Sequence, residues 1–266
     1  MTGSLQADYV SYQLDLDEPV TLSAYLGYTL ALSFLDEKRC IGCGRATSKT
    51  FQQGYCFPCV RSLAACDLCI VKPELCHFHL GTCREPTWGE AHCMKEHVIY
   101  LANTSGLKVG ITRRANIPSR FIDQGATQAL PLFSVSTRYQ AGLIEILLAR
   151  ELADKTNWRK MLSGSAAALN LPDLAAQVKE KMRLPLAELC AGHPVTFLEL
   201  PASVIALNYP VLEYPSAIKS LNLDKNGKIE GQLLGIKGQY LMLSSGVLNV
   251  RSFGGYKVRL SLFKMN

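Results

Sequence analysis

Two cysteine pairs, Cys40-x2-Cys43 and Cys56-x2-Cys59, stand twelve residues apart in CIGCGRATSKTFQQGYCFPC. Thiolates two residues apart on a tight turn present both sulfurs to one cation. Two such knuckles complete a tetrahedral shell, the arrangement of a structural zinc ion. Gly44 and Gly54 supply the backbone freedom these turns require. Four thiolates leave no open coordination position, so this metal is expected to be scaffolding, not catalytic. Thiol exchange is the rival use of a CxxC pair. No thioredoxin-like βαβ pattern surrounds it, and doubling of the knuckle favours metal.

A second cluster follows: Cys66-x2-Cys69-x6-Cys76-x6-Cys83-x9-Cys93-x3-His97, with His77 and His79 inside it. It offers more ligands than one tetrahedral zinc takes, and spacing leaves two sets open. Cys66, Cys69, Cys93 and His97 would combine a knuckle with a helix-type Cys-x3-His pair; Cys66, Cys69, Cys76 and Cys83 would close a compact local loop. Remaining cysteines would be buried small hydrophobes. Both metals are expected to carry the fold locally, because a stretch of about 55 residues with few large apolar side chains has little else to fold around.

Nine of the ten cysteines lie between Cys40 and Cys93, and MTGSLQADYVSYQLDLDEPV has neither a basic n-region nor an apolar h-region. Reduced thiols holding metal in a cytoplasmic protein are therefore expected. The longest uncharged apolar run, Thr21–Leu35, is interrupted by Gly27 and falls short of the roughly 20 residues of a membrane span. No membrane association is expected. Composition is that of a globular chain: 266 residues, 48% hydrophobic, mean hydropathy +0.10.

A different chemistry is suggested downstream. Between His97 and Leu162 nine Lys/Arg face four acids, an excess of five within a chain whose net charge is +6. A concentrated positive field favours a polyanion such as DNA or RNA, with Arg113, Arg114 and Arg138 as candidate phosphate contacts. Glu145 offers a hard oxygen ligand for magnesium or manganese. Tyr100 could position an attacking water, and Arg120 would present a planar fork to phosphate oxygens. Together these are what phosphodiester hydrolysis needs: a divalent ion, a group that handles water, and a cation facing developing negative charge.

The elements that must position them are short. Val98–Leu101 and Leu107–Thr112 are β-type runs separated by Asn103-Thr104-Ser105-Gly106, a hairpin signal. A helical segment bearing Arg120 follows, with Pro118 near its first turn. Tyr139–Lys155 then carries Leu143, Ile144, Leu147, Leu148 and Leu152 at helical spacing, with Glu145 beside the apolar stripe.

A strand pair with Tyr and Gly, then a helical Arg, then a lone Glu on a second helix resembles the GIY-YIG nuclease superfamily. Val98-Ile99-Tyr100 stands in the GIY place, Lys108-Val109-Gly110 in the YIG place, Arg120 in the helical Arg place and Glu145 in the metal-ligand place; Asn157 stands where the family has a late Asn. Val98 replaces the first Gly and Lys108 the second Tyr, a residue the family uses to activate water or position the nucleophile; some subfamilies read KIG or KVG there. The resemblance covers about a quarter of the chain. It implies Tyr100, Lys108, Arg120 and Glu145 as catalytic residues, with magnesium or manganese on Glu145. The whole chain also resembles an uncharacterised bacterial family that places zinc motifs before such a core, a likeness extending to CGR, QGYC, GTCR, DQGA and GIKGQY.

The flanks complete an α+β expectation. Tyr12–Asp17 and Val20–Phe34 read as strands too few to form a sheet alone. Ala166–Cys190 reads as two helices divided near Pro185. From Val195 the pattern turns to strands (TFLEL, VIAL, then KIEGQLLGIKGQYLMLSSGVLNVRSFGGYKVRLSLF), with a turn at Asp224-Lys225-Asn226-Gly227 and glycine punctuation suited to a small barrel. The expected organisation is strands over 1–38 that pair with the C-terminal β domain, a zinc region over 39–96, a GIY-YIG-like module over 97–162, a helical connector over 163–193 and a β-rich, barrel-like domain over 194–266. The functions left open are a metal-dependent endonuclease, a catalytically inactive nucleic-acid-binding module and a zinc-scaffolded protein-interaction adaptor.

Overall fold

The computed structural model describes residues 1–152 and 156–264. The chain begins with β1 (Thr2–Gln6), β2 (Tyr9–Leu14) and β3 (Val20–Thr21), which pair antiparallel in that order. Strand β4 (Thr29–Lys38) leads into the Cys-rich region. That region is a series of 3-10 turns with only two short helices, α1 (Phe57–Ser62) and α2 (Pro86–His92). Next come β5 (His97–Asn103), β6 (Leu107–Arg113), α3 (Ser119–Asp123), β7 (Gln128–Val135) and α4 (Arg138–Ala149). Then follow α5 (Trp158–Leu162), α6 (Leu171–Gly192), β8 (Leu198–Glu199), β9 (Ile205–Ala206) and α7 (Leu223–Asn226). Strands β10 (Lys228–Lys237), β11 (Tyr240–Leu243), β12 (Gly246–Asn249) and β13 (Tyr256–Phe263) close the chain.

The predicted hairpin forms, with β5 at the centre of a sheet ordered β6-β5-β7-β8 and antiparallel to both neighbours. Every residue of β5 is buried. Because side chains alternate across a strand, Val98, Tyr100 and Ala102 enter one core and Ile99 and Leu101 another. The second core lies beneath α4, whose Ala141, Ile144, Leu147 and Leu148 are buried there, as the apolar stripe requires. Of the helix predicted over Tyr139–Lys155, α4 accounts for the part to Ala149; residues 153–155 lie outside the described residues.

The first core is shared. It joins Val10, Tyr12 and Leu14 of β2, Leu30 and Leu32 of β4, Tyr100 of β5, Phe121 and Ile122 of α3, and Ile229, Leu233 and Ile236 of β10. This sharing explains why the barrel-like closure does not occur. Strands β12-β11-β10-β4-β13 form an open antiparallel sheet with β12 and β13 at opposite edges. The β11–β12 hairpin has only four residues per strand, and the sheet's apolar face is covered by the central sheet and α3 rather than by itself. Strand β4 sits between β10 and β13 in this C-terminal sheet, Ala31 facing Glu230 on one side and Ser261 on the other. The earlier strands β1–β3 do not join it; they make their own sheet, with β1 lying against α3.

Two further expectations are corrected by packing. Pro185 does not divide a pair of helices: α6 runs through it from Leu171 to Gly192. Proline removes one helical hydrogen bond and disfavours the helix interior, but Leu171, Ala175, Met182 and Leu186 are all buried in the second core, and that burial holds the helix together. TFLEL and VIAL do not begin the C-terminal sheet. They supply β8 and β9, which pair with β7 of the central sheet.

Candidate functional site

Cys40 lies two residues beyond the end of β4, and Cys56 caps the N-terminus of α1, with Cys59 in the first turn of that helix. The Sγ atoms of Cys40, Cys43, Cys56 and Cys59 all lie within 4.8 Å of one another. Gly44 at φ +71° and Gly54 at φ +140° make the two turns that fold the knuckles toward each other. The N–H of Cys56 donates to Cys40 Sγ at 3.2 Å and that of Gly42 at 3.4 Å. Burial raises the Cys40 thiol, but the backbone N–H groups of Cys56, Cys43 and Gly42 outweigh it and bring the thiol down to about 6. Cys59 is driven the other way, by burial first and then by hydrogen bonds from its three neighbours. Four sulfurs gathered in a mostly buried pocket are a soft-ligand shell that can hold a zinc ion.

The second cluster spreads over separate turns. Cys69, Cys76, Cys83 and Cys93 line one small cavity, together with Asp67 and His77. Asp67, which the sequence reading passed over, lies with Cys69 and His77 in a set of ligand atoms within 4.8 Å of one another. Cys66 does not border this cavity; burial raises its thiol, with the Arg84 charge opposing and those of Cys40 and Cys56 adding to it. His97 sits on β5, fully buried; its Nδ1 donates to the Lys95 carbonyl at 2.7 Å, and its Nε2 has no hydrogen-bond partner. Burial lowers His97 to about 4, so the ring is neutral.

Tyr100 pairs across the hairpin with Gly110. A Cβ at position 110 would lie 2.7 Å from both Cζ and the hydroxyl of Tyr100, so only glycine lets the ring lie over β6. The ring meets Phe121 of α3 edge to face at 4.7 Å. Its hydroxyl accepts a 2.6 Å hydrogen bond from Gln124 Nε2. Burial raises the phenol's pKa; the Arg120 charge and the hydrogen bonds from Gln124 and Arg120 oppose that, while the Glu145 charge adds to it. The charges of Arg120 on α3 and Glu145 on α4 thus both reach the Tyr100 phenol. Lys108 shares the Tyr100 face of the hairpin, opposite Ala102, and is only 6% exposed.

The remaining basic residues divide. Arg114 is paired with Glu96 at 2.6 Å. Arg138, at the start of α4, donates to the carbonyls of Cys69 at 3.4 Å and Ile70 at 2.5 Å, tying the helix to the Cys-rich region. Arg113, half-buried at the end of β6, acts on both His97 and Cys93. Asn157 caps α5, its Oδ1 accepting from the Lys160 N–H at 3.1 Å.

A family model described as "Protein of unknown function (DUF2797)" matches residues 27–258. The chain belongs to the DUF2797 family. The DUF2797 match begins ahead of β4 and ends inside β13, so it takes in the Cys-rich region, the central sheet and nearly all of the C-terminal sheet while leaving β1–β3 outside. No curated protein and no solved structure matches the chain. Among the described residues, no helix is long and apolar enough to cross a membrane.

Proposed function

We propose that this DUF2797 chain is a zinc-stabilised nucleic-acid-processing protein whose chemistry centres on Tyr100, Arg120 and Glu145. The observation that supports the reading is that the Tyr100 phenol feels the charges of both Arg120 on α3 and Glu145 on α4. Their order along the chain, hairpin then Arg helix then Glu helix, is that of the GIY-YIG resemblance. In this reading Glu145 holds magnesium or manganese, Arg120 faces the phosphate, and Tyr100 positions water. The zinc region acts as a scaffold.

One observation favours a second reading, nucleic-acid binding without cleavage. Tyr100 has no exposed surface, and its hydroxyl is occupied by Gln124. A water-positioning group must reach water, and Lys108 stands where the resemblance expects the second Tyr. A basic face that grips phosphate needs no such access.

One experiment separates them. The full chain is incubated with single- and double-stranded DNA and RNA, with magnesium or manganese, and both retention and cleavage are read. Metal-dependent nicking abolished in Glu145→Ala and Arg120→Ala establishes the hydrolytic reading; nicking that survives both excludes this site. Salt-sensitive retention with no cleavage in any metal establishes the binding reading. No retention at low salt excludes both.

A further inference from the structure

Asp67, Cys69 and His77 stand outside the first zinc shell, and their ligand atoms lie within 4.8 Å of one another. Asp67 caps the turn Leu68–Ile70 that contains Cys69, its carboxylate accepting the Cys69 N–H at 3.4 Å. His77 reaches them from beyond the next turn, Pro73–Leu75. All three border a cavity of about 10 Å³. Such a space takes one water-sized occupant and no organic ligand.

The hydrogen bonds around His77 decide how its ring meets the other two groups. Thr82 Oγ1 donates to the His77 carbonyl at 3.3 Å, so toward Nδ1, at 2.7 Å, the same oxygen accepts. Nδ1 therefore carries the proton of the neutral ring, and Nε2 carries a lone pair. Nε2 lies 3.5 Å from Asp67 Oδ2, so the lone pair faces a carboxylate oxygen, with the Cys69 sulfur as a third acceptor beside them. Acceptors that converge in a largely buried place need a cation between them. A zinc ion held tetrahedrally at about 2.1 Å from a nitrogen and an oxygen sets those two atoms about 3.4 Å apart, close to the separation observed.

Arg84 supplies part of the compensation. Its Nε bonds Asp67 Oδ2 at 2.7 Å, while its Nη1 donates to the carbonyls of Val60 at 3.0 Å and Leu63 at 3.3 Å. A carboxylate has about four acceptor positions, so the bonds from Arg84 and Cys69 leave places for a metal. Carboxylates held by hydrogen bonds, and imidazoles whose other nitrogen donates to an oxygen, are the usual form of metal ligands. The rival use of a Cys, a His and an Asp is a nucleophile with its base. That requires one imidazole nitrogen on the sulfur and the other on the carboxylate, whereas His77 turns Nδ1 to Thr82. A donor set of one oxygen, one nitrogen and one sulfur selects zinc over magnesium or calcium.

We propose that Asp67, Cys69 and His77 hold a second zinc ion through a carboxylate oxygen, the thiolate and Nε2, with a water in the adjoining cavity as fourth ligand. Of the two sets that spacing leaves open, this one keeps only Cys69. The sulfurs of Cys76, Cys83 and Cys93 border the cavity without ligating the ion. The ion links the turn Leu68–Ile70 to the loop beyond Cys76, and Arg84 connects its carboxylate ligand to α1, the helix that carries Cys59.

The test uses the full chain, reduced and loaded with zinc or with ¹¹³Cd. Mass spectrometry of the metal content is expected to give two zinc ions per chain. The cadmium spectrum should show one resonance in the all-sulfur range, from the four-cysteine shell, and a second displaced upfield by nitrogen and oxygen ligands. Cys69→Ser and His77→Gln should each lose one ion and the displaced resonance, whereas Cys76→Ser, Cys83→Ser and Cys93→Ser should keep both. A single zinc in the wild type overturns the proposal and makes Asp67 and His77 a plain ion pair. Two all-sulfur resonances overturn it as well, as does retention of both ions in Cys69→Ser or His77→Gln, or loss of one in the Cys76, Cys83 or Cys93 variants. The all-sulfur resonance reports the first shell separately, so the two assignments fail independently. Should the variants fail to fold, the metal count and spectrum of the wild type still decide.

Discussion

Gly142 of α4 packs directly on Pro73 of the Cys-rich region: a Cβ at 142 would lie 2.6 Å from Pro73 Cβ and 2.5 Å from the Glu74 amide nitrogen. The obstructing atoms include backbone, so they cannot simply swing aside. Glu145 is one turn further along the same helix. The Cys-rich region and the helix that carries Glu145 are therefore in mechanical contact.

Gly142→Ala should consequently force α4 and the turn apart. Overpacking of this kind costs about 1–3 kcal/mol, and the melting temperature should fall accordingly. Gly164→Ala, where an added Cβ meets nothing within 4 Å, should leave it unchanged. Equal melting curves for the two variants would contradict the close contact.

Tyr100→Phe removes the acceptor that Gln124 donates to. Gln124 Oε1 is buried and already lacks a partner, so the variant takes the Nε2 partner away as well. A loss of about 1–3 kcal/mol is expected by chemical denaturation, and the double variant Tyr100→Phe, Gln124→Leu should recover part of it. If Tyr100→Phe is as stable as wild type, the hydrogen bond contributes nothing.

Lys237 is fully buried, its Nζ donating to the Gly164 carbonyl at 3.2 Å and lying 5.6 Å and 5.3 Å from the rings of Tyr209 and Tyr214. Burial lowers its pKa from the usual 10.5 to about 8. Between those values the unfolded chain holds more protons than the folded one, so this residue's unfavourable contribution is full below pH 8 and fades as pH rises toward 10.5. Its size is about 3 kcal/mol before the ring contacts and hydrogen bond offset it. Lys237→Met should therefore match or exceed wild-type stability at pH 7, with its advantage shrinking by pH 10. A Met variant that is far less stable at pH 7 would show that the ring contacts dominate.

Zinc removal should loosen the region 39–96 first. Chelation, or Cys43→Ser in the first shell, is expected to reduce near-UV dichroism and to expose the segment around α1 to protease. The central sheet, buried in two cores that contain none of these thiols, should resist longer. Simultaneous cleavage throughout the chain would instead mean that the metal holds the whole fold.

The sequence by itself determined whatever depends on near neighbours. Two CxxC knuckles with glycines at their turns specify a four-sulfur shell, because a tight turn fixes both sulfurs within four residues. Asn103-Thr104-Ser105-Gly106 between two β-runs specifies the hairpin and, with it, the facing of Tyr100 and Gly110. The stripe from Leu143 to Leu148 specifies α4.

Tertiary structure decided everything that depends on which distant segment covers an apolar face. The core shared between β4, β5 and β10 left the C-terminal sheet open instead of closed, and burial in the second core carried α6 through Pro185. Pairing with β7 drew β8 and β9 away from the strands that follow them in sequence. Spacing could not sort the thiols of the second cluster, since each sits on its own turn and only the packing of those turns brings Cys69, Cys76, Cys83 and Cys93, but not Cys66, to the lining of one cavity. Nor could it show that the Tyr100 hydroxyl is enclosed. That follows from α3 lying across the hairpin, and burial is a property of what covers a residue, not of the residue's own sequence.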